Sequence, residues 1–269
     1  MNRMKPIYAG LLIALLTVVM SGCMNEGDLK RPLDQYLKES YGIKSEDYHF
    51  LTWDNNWFEG IEHQTAIEIE KPYVTTVYIS MERDTYKVES ERVYPELVKG
   101  AFINQHPEVL TLSEKMIDQY GFLKKSPTGY HEMKDNFYYY LNVNVGENIK
   151  NKLAEDFKKT QKIQTEQLLP AYMKSSENID EEPDSIRVNF AFYYNTQNRS
   201  DAIPSAENLV KDYEKGGVLP QGLYSIGVKT INSSDGGYSV GVDRRNSTVM
   251  FRVDSNGAFQ DVRVLLPEI

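Results

Sequence analysis

The apolar run IYAGLLIALLTVVM, from Ile7 to Met20, stops just short of Cys23, the only cysteine in 269 residues. Arg3 and Lys5 precede the run without an acid, and the small pair Ser21–Gly22 follows it. A basic start, a short apolar centre and small residues before a cut site describe a secretory signal. The run is too short for a spanning helix, which needs about 20 apolar residues. An exported chain commonly leans on disulfides, and this one has no second cysteine with which to form any. Its fold must therefore be held by burial alone. The length allows that, either as one large domain or as two small ones.

The residues MSGC at 20–23 resemble a bacterial lipobox, with Met20 where leucine is usual. A lipobox implies cleavage before Cys23 and a diacylglycerol thioether on its sulfur. Residues 1–22 then form a lipoprotein signal peptide, Cys23 is the lipid attachment point, and 23–31 is a polar, lipid-anchored tether. Two acyl chains hold a protein stably where one holds it only marginally. The expected location is the outer face of the cytoplasmic membrane, and the membrane itself is the first partner, through the diacylglycerol on Cys23.

The net charge is −9, and both basic residues of the signal lie outside the mature chain, which is more acidic still. Nucleic acid and anionic lipid are recognised through basic patches, so no nucleic-acid partner is expected. Tyrosine is abundant at 19 residues against 2 tryptophans, which favours strands. Periodicity and turn residues predict a helix at 31–42, opened near Pro32, then strands at 47–53, 63–71 and 73–81 and a hairpin partner at 84–90. Helices follow at 94–106 and 107–123, broken by Pro107. A strand at 136–145 leads to the longest helix, 148–173. The most polar stretch, 174–185, reads as a linker. A strand at 186–195 precedes a helix capped by Ser205 and ended by Gly216–Gly217. Strands at 221–231, 236–244, 247–254 and 256–266 close the chain, the last two joined by the turn DSNG. The fold class is α+β: mostly antiparallel sheets with packed helices, with 32–173 an N-terminal α+β region and 186–269 a β-rich C-terminal one, two candidate small subdomains.

Three features, the MSGC lipobox, the passage YLKESYGIKSEDYHF and the late GGVLPQGLYSI, are similar to those of a family of uncharacterised lipoproteins of low-GC Gram-positive bacteria, a domain of unknown function. The resemblance spans most of the mature chain. It implies a location and assigns no reaction and no functional residue.

No motif for catalysis stands out. His49, His63, His106 and His131 lie far apart in sequence and lack the close pairing of zinc ligands, so neither a metal site nor a cofactor is expected. There is no G-x-S-x-G elbow, P-loop or G-x-G-x-x-G. Asp180, Glu181, Glu182 and Asp184 cluster without the spacing of a Ca²⁺ loop and read as solvated linker. The aromatic stretches WDNNWF and FYYY offer Trp53, Trp57, Tyr138 and Tyr140 as surfaces that could stack on sugar rings or hold a peptide, or could simply pack the core. The reading that follows is a membrane-anchored, non-enzymatic binding module facing a cell-wall or protein ligand. The alternative is an envelope hydrolase acting on cell-wall or peptide material. A solute receptor with two parallel α/β lobes is disfavoured by the antiparallel pattern.

Overall fold

The computed structural model describes residues 26–53, 62–82, 84–125, 138–173, 183–197, 202–232 and 247–265. Helix α1 spans Glu26–Tyr41 and turns Leu29, Leu33 and Leu37, spaced by four, onto one fully buried stripe. It begins before Pro32 rather than at it, so the described part of the 23–31 segment is helical: buried Leu29 anchors the extra turn. Gly42, at φ +70°, ends the helix by donating its N–H to Lys38 O, while Ile43 reaches back to Leu37 O.

A four-stranded antiparallel meander follows: β1 Tyr48–Trp53, β2 Glu62–Ile69, β3 Thr75–Glu82 and β4 Val88–Glu91, neighbours in chain order. Its inner face carries Ile67, Ile69, Val77, Ile79 and Met81, all buried. Helix α2, Val93–Gln105, is buried around most of its circumference: Val93, Leu97, Val98, Ala101 and Phe102 are wholly buried, and Tyr94, Lys99 and Gly100 are buried with them. It touches both β3 and β5 and thereby joins the two sheets. Gly100 permits this approach, because a Cβ there would lie 3.0 Å from Tyr73 Cβ and from Val74 O. His106 and Pro107 separate α2 from α3, Pro107–Tyr120.

The second sheet has five strands in the order β5 Leu141–Val145, β6 Ile186–Asn195, β7 Gly222–Ile231, β8 Ser247–Val253 and β9 Phe259–Leu265. Every pair is antiparallel except β6–β7, which is parallel. Helix α6, Ala206–Gly216, lies between those two strands in sequence, supplying the crossover a parallel pair needs. Ser205 caps it by accepting from Asn208 N–H, and Gly217 ends it at φ +60°. Because β5 pairs with β6 across residues 146–185, a boundary at 174–185 does not separate the sheets, and one continuous core includes residues from both.

The helix read over 148–173 is two: α4 Glu147–Thr160 and α5 Thr165–Ala171. Gln161 breaks it at φ +54°, and its Nε2 donates to Tyr41 O at 2.8 Å. The connection is then captured by side chains from elsewhere. Tyr73 OH accepts from Ile163 N–H at 2.8 Å, while Gln105 Nε2 donates to Ile163 O at 2.7 Å and Gln105 Oε1 accepts from Thr165 N–H at 2.9 Å. Tyr138, Tyr139 and Tyr140 also differ from the strand expected there, since Leu141 N–H turns back to Tyr138 O and β5 starts only at Leu141.

Candidate functional site

The alternation of β6 decides where a site can form. Val188, Phe190, Phe192 and Tyr194 are buried, while the opposite face carries Asn189, Ala191 and Tyr193, each half-buried. Register aligns Asn142 of β5 with Asn189 and Asn189 with Ser225 of β7, a polar row across three strands. Two residues along, Ala191 aligns with Gly227, and Gly227 with Thr248 of β8. Next, Tyr193 aligns with Lys229. The middle row is made of the smallest residues, and the face is hollow there. A Cβ on Gly227 would lie 3.2 Å from Thr248 Oγ1, so glycine keeps the hollow open.

The result is a groove of about 360 Å³ with the polar row on one side, Tyr193 and Lys229 on the other, and Glu96 and Lys99 of α2 among its lining. Arg92 fixes α2 against β5 by donating to Asn142 Oδ1 and to Val143 O, both at 2.8 Å. Lys99 Nζ sits 3.6 Å from Glu96 Oε2, an ion pair just beyond hydrogen-bond reach. Burial pushes the Lys99 ammonium below its ordinary range, and Glu96 opposes that shift. Glu96 Oε2 is itself buried and accepts no hydrogen bond among the described residues. On the polar row, Ser225 Oγ donates to Asn189 Oδ1 at 2.6 Å, and the same oxygen accepts from Arg187 Nε at 2.9 Å. Tyr139 donates its hydroxyl to Leu123 O and sets its ring 6.1 Å from that of Tyr193. Lys229 Nζ lies 5.7 Å from the Tyr193 ring centre.

The aromatic residues expected to bind are distributed otherwise. Tyr140 is 3% exposed and stacked on Phe192 at 5.4 Å, a core residue at the groove's margin. Tyr138 is half-buried against it, with ring centres 6.0 Å apart. Trp53 ends β1 on the other sheet with its ring edge-on to Phe50. Trp57 and Cys23 lie outside the described residues. The groove instead uses Tyr139, from between the two named tyrosines. The sequence signal for it is the outward phase of IRVNFAFYYN, where alanine interrupts otherwise large residues.

Two further features bear on chemistry. Strand pairing sets His49 opposite Glu68, with Glu70 just past the end of β2. His49 Nδ1–H donates to Glu70 Oε1 at 2.8 Å, its Nε2 is 3.6 Å from Glu68 Oε1, and one donor atom from each residue falls within 4.8 Å of the others. Histidine spacing along the chain could not reveal a neighbour across a strand. The other feature is a cleft of about 390 Å³ beside α4 and α5, lined by Tyr94, Leu153, Phe157, Ile163, Leu168 and Tyr172 and mainly apolar.

No family model and no curated protein matches the chain. Among solved structures it is similar to the crystal structure of a DUF5037 family protein from Ruminococcus gnavus, at 12% identity over 87% of this chain and 94% of that one, with a TM-score of 0.34. A likeness of that degree carries no argument about this chain's activity.

Proposed function

We propose that the chain is an extracytoplasmic lipoprotein, held at the outer face of the cytoplasmic membrane by a diacylglycerol on Cys23, and that it works as a binding module at the cell surface. The observation carrying the binding part is the groove: polar side chains converge over a floor of Ala191 and Gly227, and its volume of about 360 Å³ suits a small ligand or one segment of a larger one. Glu96 is the one carboxylate among the described lining residues, and it already faces Lys99. That favours binding over hydrolysis by a carboxylate pair, which needs two acids flanking the scissile bond. The anchoring part rests on the apolar run and the single cysteine behind it. Among the described residues no helix is long and apolar enough to cross a membrane, so an anchor at Cys23 would be what keeps those residues at the surface.

The test is to express the full chain in a Gram-positive host fed labelled fatty acid. Wild type should fractionate with membranes and carry label. Cys23→Ala should be released into the medium, or accumulate as an unlabelled precursor. A variant that is still processed and membrane-bound would refute the anchor.

A further inference from the structure

We propose that the groove on the five-stranded sheet is a saccharide site, a pyranose ring lying over Ala191 and Gly227 with its hydroxyls toward Glu96, Asn142 and Ser225 and its C–H face toward Tyr139 and Tyr193. The inference rests on the groove being the binding site and adds the ligand class. The first ground is Glu96 Oε2, a buried acceptor that receives no hydrogen bond among the described residues and has the Lys99 ammonium 3.6 Å away. Such an oxygen is costly to leave unmet, and a ligand hydroxyl would supply the missing donor. The second is the mixed character of the row. Arg92 occupies Asn142 Oδ1 and leaves the amide N–H groups to donate, while Ser225 Oγ spends its proton on Asn189 and keeps lone pairs to accept. A sugar hydroxyl both donates and accepts, and so matches neighbours of either kind. The third is the pair of tyrosine rings. Tyr139 has its hydroxyl satisfied at Leu123 O, so the ring is what it offers a ligand, an apolar face beside a polar row.

Competing ligand classes fit less well. A multiply charged anion wants several unspent cationic donors. Here Arg92 is engaged with β5, Lys99 faces a carboxylate, Lys229 over the Tyr193 ring is a single remaining cation among the described lining residues, and Glu96 would repel the ligand. An extended peptide binds by adding to a sheet edge through main-chain hydrogen bonds. The groove lies on a sheet face, above β6 and β7, which have partners on both sides.

The decisive experiment titrates the full-length protein in detergent, by calorimetry, with the N-acetylglucosamine tetramer, glycerol 3-phosphate and tetraalanine. The tetrasaccharide should bind, weaken about tenfold or more in Glu96→Gln and in Tyr193→Ala, and be lost in Gly227→Val, which fills the floor. Each variant is first checked for a wild-type circular dichroism spectrum. Should Gly227→Val fail to fold, Tyr193→Ala, at a half-exposed position, carries the comparison. If tetraalanine or glycerol 3-phosphate binds instead, and the floor-filling variant abolishes it, the groove stands and the saccharide assignment falls. If no probe binds, or binding ignores both Gly227→Val and Tyr193→Ala, the groove reading falls with it. A tetrasaccharide that needs Gly227 but ignores Glu96→Gln overturns the contact assigned to that carboxylate.

Discussion

The two sheets of this protein are built on different plans. In the four-stranded sheet each strand pairs with its neighbour in sequence, so every pairing is a local meander step. In the five-stranded sheet β5 meets β6 only after two intervening helices, and β6 meets β7 in parallel across α6. A meander closes short loops and its pairings are cheap in entropy, whereas crossover pairings close long ones. The crossover sheet is also where residues distant in the chain become neighbours on one surface: Asn142, Asn189, Ser225 and Thr248 meet there, with Glu96 and Lys99 brought in by α2. The meander brings together a smaller polar group, His49 with Glu68 and Glu70, over a shorter span of chain. Long-range assembly is therefore what makes the groove, and α2 is the element on which both sheets depend.

That dependence gives the largest expected effect. Phe102 is wholly buried in α2, and Phe102→Ala should cost about 3–5 kcal/mol, the usual range for truncating a core phenylalanine. Because α2 packs on β3 and on β5, both sheets should lose stability together, giving one urea transition at a lower midpoint. Two separate transitions, read by hydrogen exchange at Ile67 and at Phe190, would show that the sheets are independent units and break the comparison.

The same contrast explains what could be read from the sequence. Strand β6 stands where expected, at Ile186–Asn195, because its alternation is unbroken over the whole strand. Helix α6 has Ser205 and Gly217 as local caps, and the turn after Asp254 closes as the DSNG residues suggest, with Asp254 Oδ1 accepting from Asn256 N–H at 2.8 Å. These signals lie within a few residues of what they specify. The break at Gln161 does not: helical periodicity continues through it, and what decides it is Tyr73 and Gln105, far away in the chain. The parallel pairing of β6 with β7 carries no local mark either. The same holds for the groove. Its tyrosine at position 139 is hidden because the strand read over 136–145 begins only at Leu141, so strand alternation does not set which of Tyr138, Tyr139 and Tyr140 faces the groove.

The ion pair beside the groove sharpens the comparison on energetic grounds. Lys99 is 4% exposed, and removing one partner of a buried pair strands the other charge. Lys99→Met alone should therefore cost roughly 3 kcal/mol, by urea denaturation. The double change Lys99→Met with Glu96→Leu should return stability to within about 1 kcal/mol of wild type, since well-packed apolar residues often replace a buried pair without loss. If the pair serves the groove rather than the fold, the double variant should be stable and fail to bind. A double variant as unstable as the single one would instead make the pair structural, and the two sheets would then differ less in purpose than their surfaces suggest.

The smallest effect is expected at the polar group of the meander. One donor atom from each of His49, Glu68 and Glu70 lies within 4.8 Å of the others, a spacing that could invite a metal ion. The imidazole argues against a strong site. Glu70 takes the Nδ1 side at 2.8 Å and Glu68 faces the Nε2 side at 3.6 Å, and the two ring nitrogens point apart. An ion on Nε2 could be shared with Glu68, while Glu70 would act only as a hydrogen-bond acceptor that orients the ring. Two protein ligands at a partly exposed site fall short of the three or four that hold zinc firmly. Metal that binds only the native state raises the melting temperature with occupancy, so stoichiometric Zn²⁺ should leave the melting curve of the full-length protein where excess chelator leaves it. His49→Ala should change stability little, since the close His49–Glu70 contact is exposed and pairs of that kind contribute little. A rise of several degrees on adding Zn²⁺, abolished by His49→Ala, would mean that the carboxylates rearrange around one ring nitrogen. The locally built sheet would then carry a metal site of its own beside the groove of its partner.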